Sequence, residues 1–281
     1  MYAFYFFGIN DIQDIGSTLL TSLKQKKNCW VCFFDCLSKK RQLFSYKEDE
    51  LKLFIINLCK ENDLPIPQVG FYGQKDEKAF EKDYRHNLPE IVFMQNAVHK
   101  YPLWYPIANR SRVVHFAWGQ DSLNNLHRSK YNIVLNVLRN EADIDAYKSY
   151  SAVKSLYFGN MRLDQLTWKP WFSTLSSPPE DKKVCLIPEV WVTKHGKTCS
   201  GIPLGKLSKL LDKAINILHD KNYYVVWKKR EKGHGSAVIN TLLHLRSLPD
   251  CVIERDLNFP SALYHVAKIS DVCLIYAPTG V

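Results

Sequence analysis

The sequence has no apolar run approaching the roughly 18 residues of a membrane-spanning helix, so any membrane contact is expected to be peripheral. It offers no secretory leader: Tyr2 to Gly8 is too short for an apolar signal core and has neither a basic start nor a small-residue cleavage site. A disulfide framework is also missing. Eight cysteines are scattered through 281 residues, a usage that fits a reducing, cytoplasmic compartment. Cys29-Trp-Val-Cys32 has the spacing of a zinc or redox pair, but it lies in a strand-like run, where residues three apart point to opposite faces. There is no P-loop and no Gly-x-Gly-x-x-Gly after the first strand, which disfavours kinases, GTPases and standard dinucleotide enzymes. No Ser/His/Asp order, metal-ligand spacing, repeat or low-complexity tract stands out. Acid is scarce as well. Against 38 Lys and Arg there are 28 Asp and Glu, and the formal net charge of +10 favours a polyanionic partner: a nucleotide diphosphate, a phosphate-linked polymer, nucleic acid or an acidic membrane face.

What is present is the composition of a folded chain, 46% hydrophobic and 13% aromatic, long enough for one large or two ordinary domains. Short apolar runs predict strands at Tyr2 to Phe7, Cys29 to Phe34, Gln68 to Tyr72, Ile91 to Met94, Val113 to Ala117, Tyr131 to Val137 and Val153 to Phe158. Between them, Ile12, Ile15, Leu19, Leu20 and Leu23 stand at helical spacing. The capping box Ser45-Tyr46-Lys47-Glu48 precedes Leu51, Phe54, Ile55 and Leu58, and further helices are expected near Glu77 to Tyr84 and Glu141 to Ser149. Thr167 to Lys183, rich in turn residues, reads as a linker. The alternation then restarts, with strands at Val184 to Ile187, Tyr223 to Trp227, Cys251 to Glu254 and Val272 to Tyr276, and helices from Pro203, Ser236 and Pro260. The expected architecture is α/β, two Rossmann-like lobes with a mainly parallel sheet in each and a cleft between them. Their spans are 1–166 and 184–281, with 167–183 as linker. A sheet strand followed only by Pro278-Thr279-Gly280-Val281 leaves the second lobe looking incomplete.

The chain is organised around Arg112 to Asp121. A buried strand breaks there into Trp118-Gly119-Gln120-Asp121, and in open α/β sheets ligands bind outside the carboxyl ends of strands. Asp121 reads either as a general base or as the N-cap of a following helix. His115 reads either as a base or as a satisfied core histidine, and Asp11 and Asp164 are further acids at strand ends. In the second half three strands run into loops rich in glycine, basic or small polar residues. These are Lys194 to Gly201, Lys228 to Ser236 and Pro278-Thr279-Gly280. With parallel strands all three share one edge, at helix N-termini, where free N–H groups and the helix dipole favour phosphate.

Two Rossmann-like halves, a linker and anion-suited loops on the second half resemble the GT-B glycosyltransferases. Val114 to Leu123, Tyr131 to Leu135 and Gly159-Asn160-Met161-Arg162-Leu163-Asp164 resemble, more closely, the CDP-glycerol glycerophosphotransferase branch, with its Trp-His-Gly turn, strand and Gly-x-Pro-Arg-x-Asp turn. Gly119, Gly159, Arg162 and Asp164 match that pattern. Trp118 stands where the branch has its histidine base, and Met161 replaces the proline. Trp118-Gly119-Gln120-Asp121 is similar to the Trp-Gly-x-Asp turn of other GT-B sugar transferases, including bacterial amino-fucose transferases of surface-polysaccharide assembly. Ser270-Asp271 and Thr279-Gly280 match the region that holds donor phosphates in the family.

The resemblance implies transfer of a glycosyl or polyol-phosphate group from a nucleotide-activated donor to an acceptor hydroxyl, with no cofactor and no metal. Arg162, Lys228, Arg230, His234, Thr279 and Gly280 would bind the donor, and Trp118, Gly119 and Gln120 would face the acceptor. The base would be Asp121, with His115 and Asp11 next. The acceptor would be an anionic polymer, a glycolipid or DNA, and the setting cytoplasmic or peripheral at the inner membrane face. A DNA-base glycosyltransferase and a non-catalytic binding module are the rival readings.

Overall fold

The structure is a computed structural model that describes residues 1–6, 9–35, 48–73, 75–95, 110–117, 132–150, 153–159, 164, 167–168, 178–189, 197–198, 201–229, 241–253 and 262–275. The chain divides into two compact units, Met1–Pro170 and Trp171–Val281.

The first unit is built on seven parallel strands. In chain order they are β1 (Tyr2–Phe6), β2 (Cys29–Asp35), β3 (Gln68–Gly73), β4 (Ile91–Gln95), β5 (Arg112–Phe116), β6 (Ile133–Leu138) and β7 (Ser155–Tyr157). Among the described residues four helices intervene: α1 (Ile9–Lys24), α2 (Glu48–Glu61), α3 (Glu77–Asn87) and α4 (Asp143–Tyr150). The strand order is β3-β2-β1-β4-β5-β6-β7. The first crossovers step one way from β1 and the third returns past it, so right-handed connections put α1 and α2 on one face and α3 on the other. The packing agrees. Phe80 and Tyr84 of α3 close over Ala3, Tyr5, Trp30, Cys32, Val92 and Met94. The opposite face carries Phe4 stacked on Phe93. Both faces of β1 are therefore buried, which is why its sequence is an unbroken apolar run rather than an alternation.

Ile12, Ile15, Leu19, Leu20 and Leu23 of α1 are all buried, as their spacing requires. Gly16 is needed for a close approach: a Cβ there would stand 2.6 Å from Cη2 of Trp168. Trp168 is held in that contact, with its Nε1 donating to Ser17 Oγ at 2.9 Å. A tryptophan from the expected linker thus packs against α1 in the first unit. The two halves of the CxxC spacing do part company across β2. Cys32 joins the α3-side core, while burial raises the Cys29 thiol to about 11 and that of its α2-side neighbour Cys59 to about 12. Neither is a reactive thiolate.

The second unit carries four parallel strands in the order β10-β9-β8-β11. They are β8 (Lys183–Pro188), β9 (Tyr223–Lys228), β10 (Cys251–Ile253) and β11 (Val272–Cys273), with α5 (Leu204–Asp220) and α6 (Ala262–Ile269) between them. Its order repeats that of the first four strands of the first unit. Leu204, Leu207, Leu211 and Ile215 of α5 pack on Cys185, Ile187, Val225 and Trp227. Two acids precede edge strands and tie them to their neighbours. Asp250 accepts from Val225 N, and Asp271 from Val184 N, both at 2.7 Å. The helix expected from Ser236 is, among the described residues, a 3-10 turn at Thr241–His244, and the last strand is shorter than its apolar run suggests. Ser45 of the expected capping box lies outside the described residues; α2 itself begins at Glu48.

Candidate functional site

A parallel sheet delivers the chain to the same edge at the end of every strand, and in each unit the strand order reverses direction beside the first strand. Those switch points fall between β1 and β4 and between β8 and β11.

At the first of them the described residues hold a buried polar network. Gln95 ends β4 and donates from Nε2 to Asp14 Oδ2 on α1 at 2.7 Å. Arg139, the residue after β6, pairs through its guanidinium with the other oxygen of the same carboxylate. The Asp14 side chain is 0% exposed and that of Arg139 only 22%, so the pair is largely desolvated. Gln95 Oε1 is buried with no hydrogen-bond partner among the described residues. Asp11 is also buried, in the first turn of α1 on the same edge. Gln95, Asp14 and Arg139 were not singled out from the sequence. The one available signal was an amide terminating the apolar run Ile91 to Met94.

His115 lies inside the sheet, in register with Met94 on β4 and Asn136 on β6, at 0% exposure. Its Nδ1–H donates to Asn136 Oδ1 at 3.2 Å. Burial pushes its pKa from 6.5 down to about 4. In this conformation the imidazole has no open surface. Trp118, Gly119, Gln120, Asp121 and Arg162 lie outside the described residues. Asp164 is described: it lies at the surface, yet desolvation raises its carboxyl above the ordinary value, and its carbonyl accepts from Thr167 Oγ1 at 2.6 Å.

In the second unit Lys228 ends β9 opposite Pro188, buried, with Nζ donating to Lys229 O at 2.7 Å. Glu189 follows β8, is buried as well, and donates its N–H to Lys228 O at 2.8 Å. A buried lysine and a buried glutamate therefore meet through the backbone at this edge. Glu189 too escaped the sequence reading, although a carboxylate directly after the run Val184 to Ile187 was its signal. Further on, Thr198 is tied to Ile202. Its Oγ1 accepts from Ile202 N at 3.0 Å, its N–H donates to Ile202 O at 2.9 Å, and Gly201 takes a φ of +80° that a glycine tolerates best. Pro203 then leads into α5 with no side-chain cap. Arg230, His234, Thr279 and Gly280 lie outside the described residues. Ser270 and Asp271 sit at the amino edge of the sheet, and Asp271 spends its carboxylate on Val184 N, so these two are not at the edge where ligands bind.

Among the described residues no three His, Cys, Asp or Glu side chains come together as a metal site, and no helix is long and apolar enough to cross a membrane.

No family model and no curated protein matches the sequence. Solved structures do resemble the fold. The co-structure of S. aureus MnaA with UDP is similar at a TM-score of 0.60 and 12% identity, over 97% of this chain and 72% of that one. A candidate UDP-N-acetylglucosamine 2-epimerase from Listeria monocytogenes is similar at a TM-score of 0.59 and 8% identity, with the same coverage. At such identities the likeness speaks for the fold: an α/β chain of two Rossmann-like units, GT-B-like in architecture.

Proposed function

We propose that this chain is a nucleotide-sugar-dependent transferase. In this reading it moves a glycosyl or polyol-phosphate group from a nucleotide-activated donor to an acceptor hydroxyl, in the assembly of a surface polysaccharide or teichoic-acid-like polymer. The observation that carries the reading is the carboxyl edge of the second sheet. A lysine is held there at 5% exposure at the end of β9, and the chain runs directly on to Lys229 and Arg230. Concentrating cationic groups at the edge where parallel strands bind ligands suits a diphosphate. The GT-B-like fold, shared with a protein solved in complex with UDP, supports the same class of ligand. The donor would rest on Lys228, Arg230, His234, Thr279 and Gly280. Arg162 would neutralise charge on the leaving diphosphate, an electrostatic role that needs no proton transfer. Asp121 would take the acceptor proton, and Trp118 to Gln120 would border the acceptor.

Nucleotide-sugar epimerisation is the second reading, favoured by the likeness to the Listeria protein. Both are tested by thermal melting against UDP-, CDP-, GDP- and dTDP-compounds. One series is expected to stabilise the protein by about 2.7 kcal/mol when present at a hundredfold over its Kd. Arg230→Ala and Lys228→Met are expected to weaken that binding by roughly 1.5–3 kcal/mol each. No shift with any series would refute both readings. Turnover of the bound donor without added acceptor, giving an isomeric nucleotide sugar, would select the second.

A further inference from the structure

α5 is built against its own dipole. α1 to α4 each carry acid in the first turn, where the partial positive charge of a helix N-terminus is best met. α5, like α6, carries none there, and α5 presents Lys206 in that turn, followed in later turns by Lys209 and Lys213. Nor does Pro203 cap the free amides with a side chain. The buried face of α5 is Leu204, Leu207, Ser208, Leu211 and Ile215. On the other side, positions 206, 209, 210, 213 and 217 share a stripe by helical spacing. Its lysines are all exposed, and between them stand Leu210 at 54% and Ile217 at 48% exposure. The acids of α5 do not answer them. Asp212 accepts from the backbone N–H groups of Arg246 and Ser247 on another side of the helix, and Asp220 lies at the far end.

A lysine in the first turn, with two more along the same exposed stripe, gains nothing for folding, and two half-exposed aliphatics beside them gain nothing for solubility. We propose that this stripe of α5 docks on an anionic lipid surface: the lysines meet headgroup phosphates, and Leu210 and Ile217 enter the interface. Charge complementarity selects an anionic partner, and the aliphatics select lipid over nucleic acid, whose backbone gives them nothing to enter.

The test is sedimentation of the full chain with vesicles of phosphatidylcholine alone or with about 30 mol% phosphatidylglycerol, at about 0.1 M salt. Binding to the anionic vesicles only is expected. The triple variant Lys206→Gln/Lys209→Gln/Lys213→Gln should lower the bound-to-free ratio roughly a hundredfold. Leu210→Ser/Ile217→Ser should lower it roughly tenfold, and Lys78→Gln/Lys82→Gln on α3 should leave it unchanged. Should the triple variant fail to fold by circular dichroism, the single reversal Lys209→Glu replaces it. Three results would overturn the proposal: no binding to anionic vesicles, equal binding to neutral ones, or loss in the α3 variant as large as in the α5 variant. A fourth is wild-type vesicle binding by the Leu210/Ile217 variant together with loss of a duplex oligonucleotide by the lysine variant. That pattern would mark a general polyanion face.

Discussion

His115 must stay neutral to remain where it is. Its folded pKa of about 4 lies below the ordinary 6.5, so between those values the unfolded chain takes up a proton that the native protein refuses. Stability is therefore fully present above about pH 6.5 and falls as the pH drops toward 4, with an upper limit of roughly 3 kcal/mol from this group. Urea midpoints measured at pH 7.5 and near pH 4.5 should show the drop in the wild type and a smaller one in His115→Gln. An identical drop in both would mean that other groups set the acid response.

At the scale of elements, the network of Gln95, Asp14 and Arg139 fastens three of them: β4, α1 and the end of β6. Removing the guanidinium with Arg139→Met takes an ion pair from a fully buried carboxylate, a loss of roughly 3–5 kcal/mol. Denaturant unfolding should show it, and Asp14→Asn in the same background should restore part of it by removing the buried charge. Full stability in Arg139→Met would refute the coupling. The same network shows where the sequence is readable. Strands such as Tyr2–Phe6 and Lys183–Pro188 were legible because burial on both faces leaves apolar runs, here Tyr2 to Phe7 and Val184 to Ile187. The α1 and α5 faces were legible through their spacing. The network was not, because its partners stand 81 and 125 residues apart and no local pattern marks an acid in a helix as buried. His115 was half legible: the strand was clear, but the partner of its imidazole, Asn136, stands 21 residues later on another strand. Asp121, Arg162, Arg230, His234, Thr279 and Gly280 rest on short motifs, whose geometry is set by loops that spacing alone does not fix.

For the whole molecule, the two units have separate cores. The aromatic cluster around Trp30, Tyr72 and Phe80 belongs wholly to the first, and the cluster around Trp227 and α5 wholly to the second. Residues 1–170 expressed alone should therefore unfold in urea as one cooperative transition, followed by far-UV circular dichroism. A gradual, non-cooperative melt would show that the first core depends on the second unit. The shared strand order also constrains how the chain can be made. β1 and β8 come first in their units but end in the middle of their sheets, so each waits for a neighbour that comes much later: Tyr2 pairs with Ile91, and Cys185 with Val272. At the usual synthesis rate of about 5–20 residues per second, β1 emerges from the ribosome roughly 5–20 s before β4. Through that interval Tyr-Ala-Phe-Tyr-Phe has an open edge, the kind of strand that recruits other chains. The yield of native protein would then depend on whether something shelters the nascent β1 until β4 arrives.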